Sequence, residues 1–261
     1  MPEWVPAVDL SNWQNLTPQG ARSLAEAGVE LVIVRASHER QSLIDTARRQ
    51  MQMVVDAGMR LHAYGWMYGT EDPVVTAQKW LGLYDDQPIG RFWIDCEQGA
   101  PYIGSADQTV DWLHMALGIL AGQWPTGIYT GCWWWVPFTG NDAGFTDQPL
   151  WDADYTNVPE LHPARLYGGW QARAIHQYTG NGSLGGMSPL DLDAVDPALL
   201  GEDDDMAQMD EVKRIARDEI IRNIVGALEY KLPKGARLML EAGALPAAQT
   251  LARGLEPGEG S

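Results

Sequence analysis

The sequence predicts an α/β protein built as a closed barrel, and three observations carry that expectation. Short apolar runs alternate with amphipathic stretches through the first five units, the pattern of a parallel sheet with crossover helices. Three further strand-like runs follow, joined by short connections carrying Gly, Pro and Asn. That makes eight strands, enough to close a barrel. The 261 residues, 45% of them hydrophobic, suit one large α/β barrel or two small domains.

Residues 7–11 (AVDLS) follow Pro6 and read as a first short strand ending in Asp9. Thr17-Pro18 starts a helix by cap and first-turn logic, and it runs to Ala27-Gly28. Residues 31–36 (LVIVRA) form a second buried strand. Residues 42–57 are helical, with Met51, Val54 and Val55 on one face and Gly58 as the stop. Residues 60–67 (RLHAYGWM) are a third strand, 73–84 a third helix and 91–97 (RFWIDCE) a fourth strand. Ser105 caps a helix to residue 122, with Val110, Leu113, Leu117 and Leu120 apolar, and 126–130 (TGIYT) is a fifth strand. Residues 150–155 (LWDADY), 172–178 (ARAIHQY) and 190–195 (LDLDAV) complete the set, with no helical repeat between them. The expected fold is an irregular TIM-like (β/α)5(β)3 barrel, its last three strands partly antiparallel, with an additional C-terminal α-helical tail.

The chain changes character near Leu200. All 12 Trp precede residue 171, and the stretch 201–261 carries −4 of the total charge of −17. Two parts are expected: a catalytic barrel over 1–200, and over 201–261 an acidic linker, an amphipathic helix and a poorly ordered remainder. The linker is Asp203-Asp204-Asp205. The helix spans 206–232, with Met209, Val212, Ile215, Ile220, Ile224 and Leu228 as its stripe and Pro233 as its end. A short helix near Leu238 follows. Something must cover an apolar stripe, and self-association or partner attachment through this helix is the expectation.

A net charge of −17 excludes nucleic acid as a partner, since phosphate binding needs a basic surface. It equally disfavours docking on anionic lipid. No apolar run approaches the ~20 residues of a membrane span. MPEWVPAVDL lacks a basic region followed by an apolar one, so no signal peptide is expected. Cys96 and Cys132 make no disulfide framework, a reduced origin fits, and neither has metal-site spacing.

The fourth strand concentrates the chemistry. In RFWIDCEQG the apolar Phe92, Trp93 and Ile94 run into Asp95 and Glu97, and the run stops at Gly99. Residues i and i+2 of a strand share a face, so the two acids project side by side, ~6–7 Å apart along the strand. Burial and a charged neighbour make one of them hold its proton to higher pH, which is how a carboxylic acid donates near neutral pH. Barrels collect reactive groups at the carboxyl ends of their strands. Those ends here hold Asp9, Tyr64, Asp95 with Glu97, Tyr129, Trp151 with Asp154, Gln177 and Asp191. Carboxylates converging among aromatic rings describe a carbohydrate cleft: rings stack on sugar faces and acids handle the glycosidic oxygen.

The ordered pieces VDLSNWQ, HAYGW, FWIDCEQG, GIYTG, LWDADY, YGGW, HQYTGNG and LDLDAV resemble the family-25 glycoside hydrolases. These are Chalaropsis-type lysozymes, or N-acetylmuramidases, common among phage endolysins. The resemblance covers roughly residues 5 to 197. It implies a retaining enzyme cutting peptidoglycan glycan strands, with no cofactor and no metal. Glu97 matches the acid/base residue, Asp95 the carboxylate that positions the reacting sugar, and Asp9 and Asp191 two acids on the cleft floor. Tyr64, Tyr129, Trp151, Gln177 and Trp13 match cleft-lining, substrate-binding positions. A phage-encoded protein, made in a host cytoplasm and acting on the cell wall, is the implied setting.

Three features depart from the family pattern. Asp193 stands where the final motif usually has Asn, and Cys96 where a small aliphatic is common. The run Trp133-Trp134-Trp135 is unusual; it reads equally as a glycan platform at the rim or as a clamp on the irregular half of the barrel. His62 and His176 read as core hydrogen-bonding residues, and Asp154 as a solvated strand end. Two rival functions stay open. A chitinase-like N-acetylhexosaminidase also places Asp-x-Glu on strand four, although Arg91, Phe92 and Trp93 replace the acidic run that precedes that pair in chitinases. A non-catalytic glycan-binding barrel of a phage structural particle is the other.

Overall fold

The structure is a computed structural model and describes residues 3–97 and 104–201. The expected linker, the helix 206–232 and the short helix near Leu238 lie outside the described residues, as does Gly99. The described residues belong to one compact unit.

Eight strands close a barrel in chain order. They are β1 (Val5–Leu10), β2 (Leu31–Arg35), β3 (Arg60–Trp66), β4 (Phe92–Cys96), β5 (Thr126–Thr130), β6 (Leu150–Ala153), β7 (Ile175–Leu184) and β8 (Met187–Val195). Helices α1 (Pro18–Glu26), α2 (Gln41–Asp56), α3 (Pro73–Tyr84), α4 (Ala106–Leu120) and α5 (Cys132–Thr139) follow the first five strands. Strands β1 to β7 pair in parallel. β8 is antiparallel to both β7 and β1. The turn between β7 and β8 is Gly185-Gly186, both at positive φ (56° and 76°), the backbone a tight hairpin needs and L side chains resist. That turn reverses the last strand.

The helix starts follow from side chains. Thr17 accepts the Gly20 N–H at 3.0 Å, Asp72 accepts those of Val74 and Val75, and Ser105 accepts that of Gln108. Each satisfies a backbone donor that the first turn leaves unpaired.

Two layers of core result from the period of the strands. Val8, Leu10, Val32, Val34, Ile94 and Cys96 pack outward against the helices. Val5, Ala7, Leu31, Ile33, Tyr64, Trp93, Tyr129, Trp151, Ile175 and Val195 pack inside the barrel. Trp93 fits there because β5 carries Gly127 beside it; a Cβ at 127 would lie 2.4 Å from the indole.

The irregular half differs from expectation in two places. The last two strands are longer than 172–178 and 190–195 suggested, because they pair as a hairpin with register shifts past Gln177. The helix α5 was not expected. Its sequence CWWWVPFT is apolar all round, so it carries no helical periodicity to read. Trp134 and Trp135 are buried, and Trp135 packs against Phe145 and Trp170 and donates to the Asp142 carbonyl at 3.0 Å. Trp135 thus packs against the irregular half of the barrel, while Trp134 packs on Phe138 of its own helix. Trp133 is half exposed.

Outside β6 and β7 a buried ion pair ties the irregular strands together. Arg173 Nε donates to Asp152 at 2.6 Å, its NH2 to Asp154 at 2.6 Å and its NH1 to the Glu160 carbonyl at 3.0 Å. Tyr167 donates to the other Asp152 oxygen at 2.5 Å. Removing one partner of a buried pair strands the other charge. Arg173→Met is therefore expected to lower the unfolding free energy by roughly 3–5 kcal/mol in urea denaturation; a loss near zero would show that Asp152 reaches water.

Candidate active site

The parity of the strands decides which side chains enter the barrel mouth. On β1, positions 5, 7 and 9 face inward, so Asp9 tops a column of Val5 and Ala7. On β4, Trp93 and Asp95 face inward, and Glu97 stands one residue beyond the strand. On β8 the direction is reversed. Asp191 lies opposite Asp9, Asp193 opposite Ala7 and Val195 opposite Val5. One cleft of about 230 Å³ opens over these columns. Asp9, Trp13, Tyr64, Asp95, Glu97, Tyr129, Trp151, Gln177 and Asp191 all line it, so the sequence-predicted residues come together at one mouth.

They do not lie at one depth. Trp151 is 1% exposed and forms the floor, in edge contact with Tyr129, Tyr64 and Trp93 at centroid distances of 4.5–5.9 Å. Its indole N–H is committed to Asp193 at 2.8 Å. Trp151 thus has no open face for a sugar. The open aromatic faces belong to Trp13, 85% exposed, and Tyr155, 54% exposed.

Burial drives the electrostatics. Asp95 is held well above the ordinary carboxylate range, first by desolvation and then by the charge of Glu97, with Arg35 opposing. Glu97 is pushed up to about 6 by desolvation, then by Asp191, again against Arg35 and the Tyr129 hydroxyl. Asp191 rises to about 6 by desolvation. Asp9 is raised by burial and then by Asp193 and Asp191, although the Gln177 amide pulls it down. A carboxyl near 6 is populated in both protonation states near neutral pH, which suits a group that must give a proton and take one back. Asp95 Oδ1 is buried without a donor among the described residues. A ligand N–H or O–H entering the cleft can pair with this acceptor.

A hydrogen-bond chain connects the acids. Tyr129 and Tyr155 donate to Gln177 Oε1 at 2.8 and 3.0 Å, and Gln177 Nε2 donates to Asp9 at 2.6 Å. Tyr129 also stands within hydrogen-bonding range of Glu97.

Four lining residues escaped the sequence reading: Ser11, Arg35, Trp66 and Tyr155. Parity carried the signal for two of them. Arg35 shares a face with Ile33, and Trp66 with Tyr64. Arg35 donates to Glu39 at 2.6 Å, Tyr68 at 3.2 Å and Asn12 at 3.3 Å, and lies 4.9 Å over Trp66. Asp154 does not line the cleft; it is half exposed and paired with Arg173. His176 is fixed in one neutral tautomer, taking the Glu160 N–H at Nδ1 and giving Nε2–H to the Asp154 carbonyl. His62 Nδ1 accepts the Trp93 indole at 3.2 Å. Among the described residues, no group of three His, Cys, Asp or Glu is placed to hold a metal ion.

The chain matches the family model for glycosyl hydrolases family 25 over residues 8–187. It is 22% identical to the probable GH family 25 lysozyme 2 of Dictyostelium discoideum over 191 residues, which is 70% of this chain and 87% of that protein. The structure of a family GH25 lysozyme from Aspergillus fumigatus superposes with a TM-score of 0.61 at 25% identity, covering 74% of this chain and 93% of that one. A muramidase from Trichobolus zukalii gives 0.63 at 22% identity, over 76% and 97%.

Arg35 lowers the proton affinity of both Glu97 and Asp95. Arg35→Gln is expected to move the Glu97 titration upward from about 6, read by NMR of labelled glutamate carboxyls. An unmoved titration would mean that solvent screens this charge.

Proposed function

The chain belongs to glycosyl hydrolase family 25 and is a glycoside hydrolase, and we propose that it is a lysozyme, a 1,4-β-N-acetylmuramidase acting on peptidoglycan glycan strands. One observation carries the assignment of roles. Glu97 sits at the mouth with its proton affinity raised to about 6, beside a buried Asp95 whose Oδ1 lacks a donor.

In this reading the N–H of the sugar N-acetyl group donates to Asp95. The acetyl carbonyl oxygen is thereby aimed at the anomeric carbon. Glu97 gives its proton to the glycosidic oxygen, the bond from the anomeric carbon to that oxygen breaks, and the carbonyl oxygen closes on the carbon. Water then opens the cyclic intermediate from the side of the departed group while the Glu97 carboxylate removes a water proton. Configuration is retained, and the route needs no protein nucleophile. Asp9 and Asp191 supply negative charge near the developing positive charge on the ring. Trp13 and Tyr155 offer stacking faces for the flanking sugars. The site of action is the bacterial wall, and a phage-encoded origin belongs to the same proposal.

Glu97→Gln keeps size but removes the donor. It is expected to lower kcat by about 10²–10⁴-fold with no loss of melting temperature. New reducing ends on muramic acid in digested peptidoglycan identify the bond. Reducing ends on glucosamine would point to a hexosaminidase, and no product to a binding barrel. In the wild type, kcat/KM is expected to fall above about pH 6, where free Glu97 loses its proton. A flat profile through that region would assign the acid elsewhere.

A further inference from the structure

The catalytic reading leaves one interior acid without a role. Asp193 lies below the rim, in register with Ala7 of β1 and Gln177 of β7, and is 1% exposed. Its Oδ1 takes the Trp151 indole N–H at 2.8 Å. Its Oδ2 is buried and meets no donor. The Asp9 carboxyl stands within hydrogen-bonding range of the Asp193 carboxyl, and Asp9 already takes an N–H from Gln177. Asp191 on its own strand and Tyr178 on β7 also bear on Asp193. Asp95 and Tyr64 bear on Asp9 from β4 and β3. None of these groups carries a positive charge.

Two charged carboxylates in such a place repel with little screening. A single proton between them cancels one charge and gives the open oxygen of Asp193 its partner.

We infer that Asp193 is a positioning residue that shares a proton with Asp9, and so holds Asp9, the Gln177 amide and the Tyr129 hydroxyl in register beside Glu97. What is positioned rests on the catalytic reading above; the shared proton rests on the packing alone. Burial, then the charge of Asp191, raises Asp193 to about 8, so the proton stays in place at neutral pH and leaves in alkali.

The sign of the linkage is definite. A native carboxyl raised from its ordinary 3.8 to about 8 holds a proton that the unfolded chain releases, so its contribution weakens stability as pH rises through that window. Asp193→Asn offers a permanent N–H donor and does not titrate. Its melting temperature is expected to gain on the wild type steadily between those two pH values. Asp193→Val removes the donor, and kcat is expected to fall by up to about a hundredfold with a smaller change in KM. Asp193→Asn should restore most of that loss below the alkaline region. Infrared spectra of the unmodified protein at neutral pH should show the carbonyl stretch of buried protonated carboxyls, and Asp193→Asn should lose intensity in that band. This band is read without a folded variant and without substrate. Its absence from the wild type would overturn the shared proton, as would stability curves of wild type and Asp193→Asn that run parallel. If Glu97→Gln kept its lytic activity, the catalytic reading would fall while the infrared and stability results still judged the proton.

Discussion

The pairing of β8 with β1 closes the barrel, and the cleft depends on it. Because β8 runs antiparallel, its earlier residues rather than its last ones reach the mouth. Asp191 therefore meets Asp9 at the top, Asp193 sits a layer lower, and Val195 joins Val5 at the bottom. A parallel eighth strand would invert that order and bury a valine under the sugar. The diglycine turn that reverses the chain is thus tied to the chemistry some distance away. Closure also removes the two sheet edges that β1 and β8 would otherwise expose.

The seam gathers negative charge where water is scarce. Desolvation is the first cause of the raised proton affinity of Asp9, Asp95, Glu97, Asp191 and Asp193 alike. The dryness comes from the aromatic floor, Trp93 and Trp151, under the acids. Arg35 offsets part of the repulsion, but acts on Asp95 and Glu97 at one side of the mouth. Crowded acids of this kind weaken a fold as pH rises, since the native state holds protons the unfolded state gives up. The outer layer supplies compensation through the packed helices and the Arg173 network under β6 and β7. Stability traded for reactivity is a common arrangement in enzyme sites.

Precision in such a site comes from side chains whose donors and acceptors are already committed. Gln177 is fixed by two tyrosine hydroxyls on one end and Asp9 on the other. Trp151 is fixed by Asp193 below and by three rings around it. The exposed aromatics, Trp13 and Tyr155, stand on loops just past β1 and β6, where stacking faces stay open to a long polymer. The rigid strands hold the reacting groups and the loops meet the substrate.

Local chemistry was readable in the linear chain. Alternating apolar runs, the caps Thr17 and Ser105, and the Asp95-x-Glu97 pair each act over a few residues, so strand order, these helix starts and the acid pair were legible there. The α5 helix was not, because a run apolar on every side has no period to detect. The hairpin's full length was not, because its register shifts depend on the partner strand. Arg35 and Asp193 belong to the second kind. One is a charge at a strand end whose local partner, Glu39, says nothing of the acids across the mouth, and the other is an acid in an apolar strand. Pairing of β2 with β3 set Arg35 over Trp66, and closure by β8 turned Asp193 toward Asp9, because burial and electrostatic coupling are properties of neighbours distant in sequence.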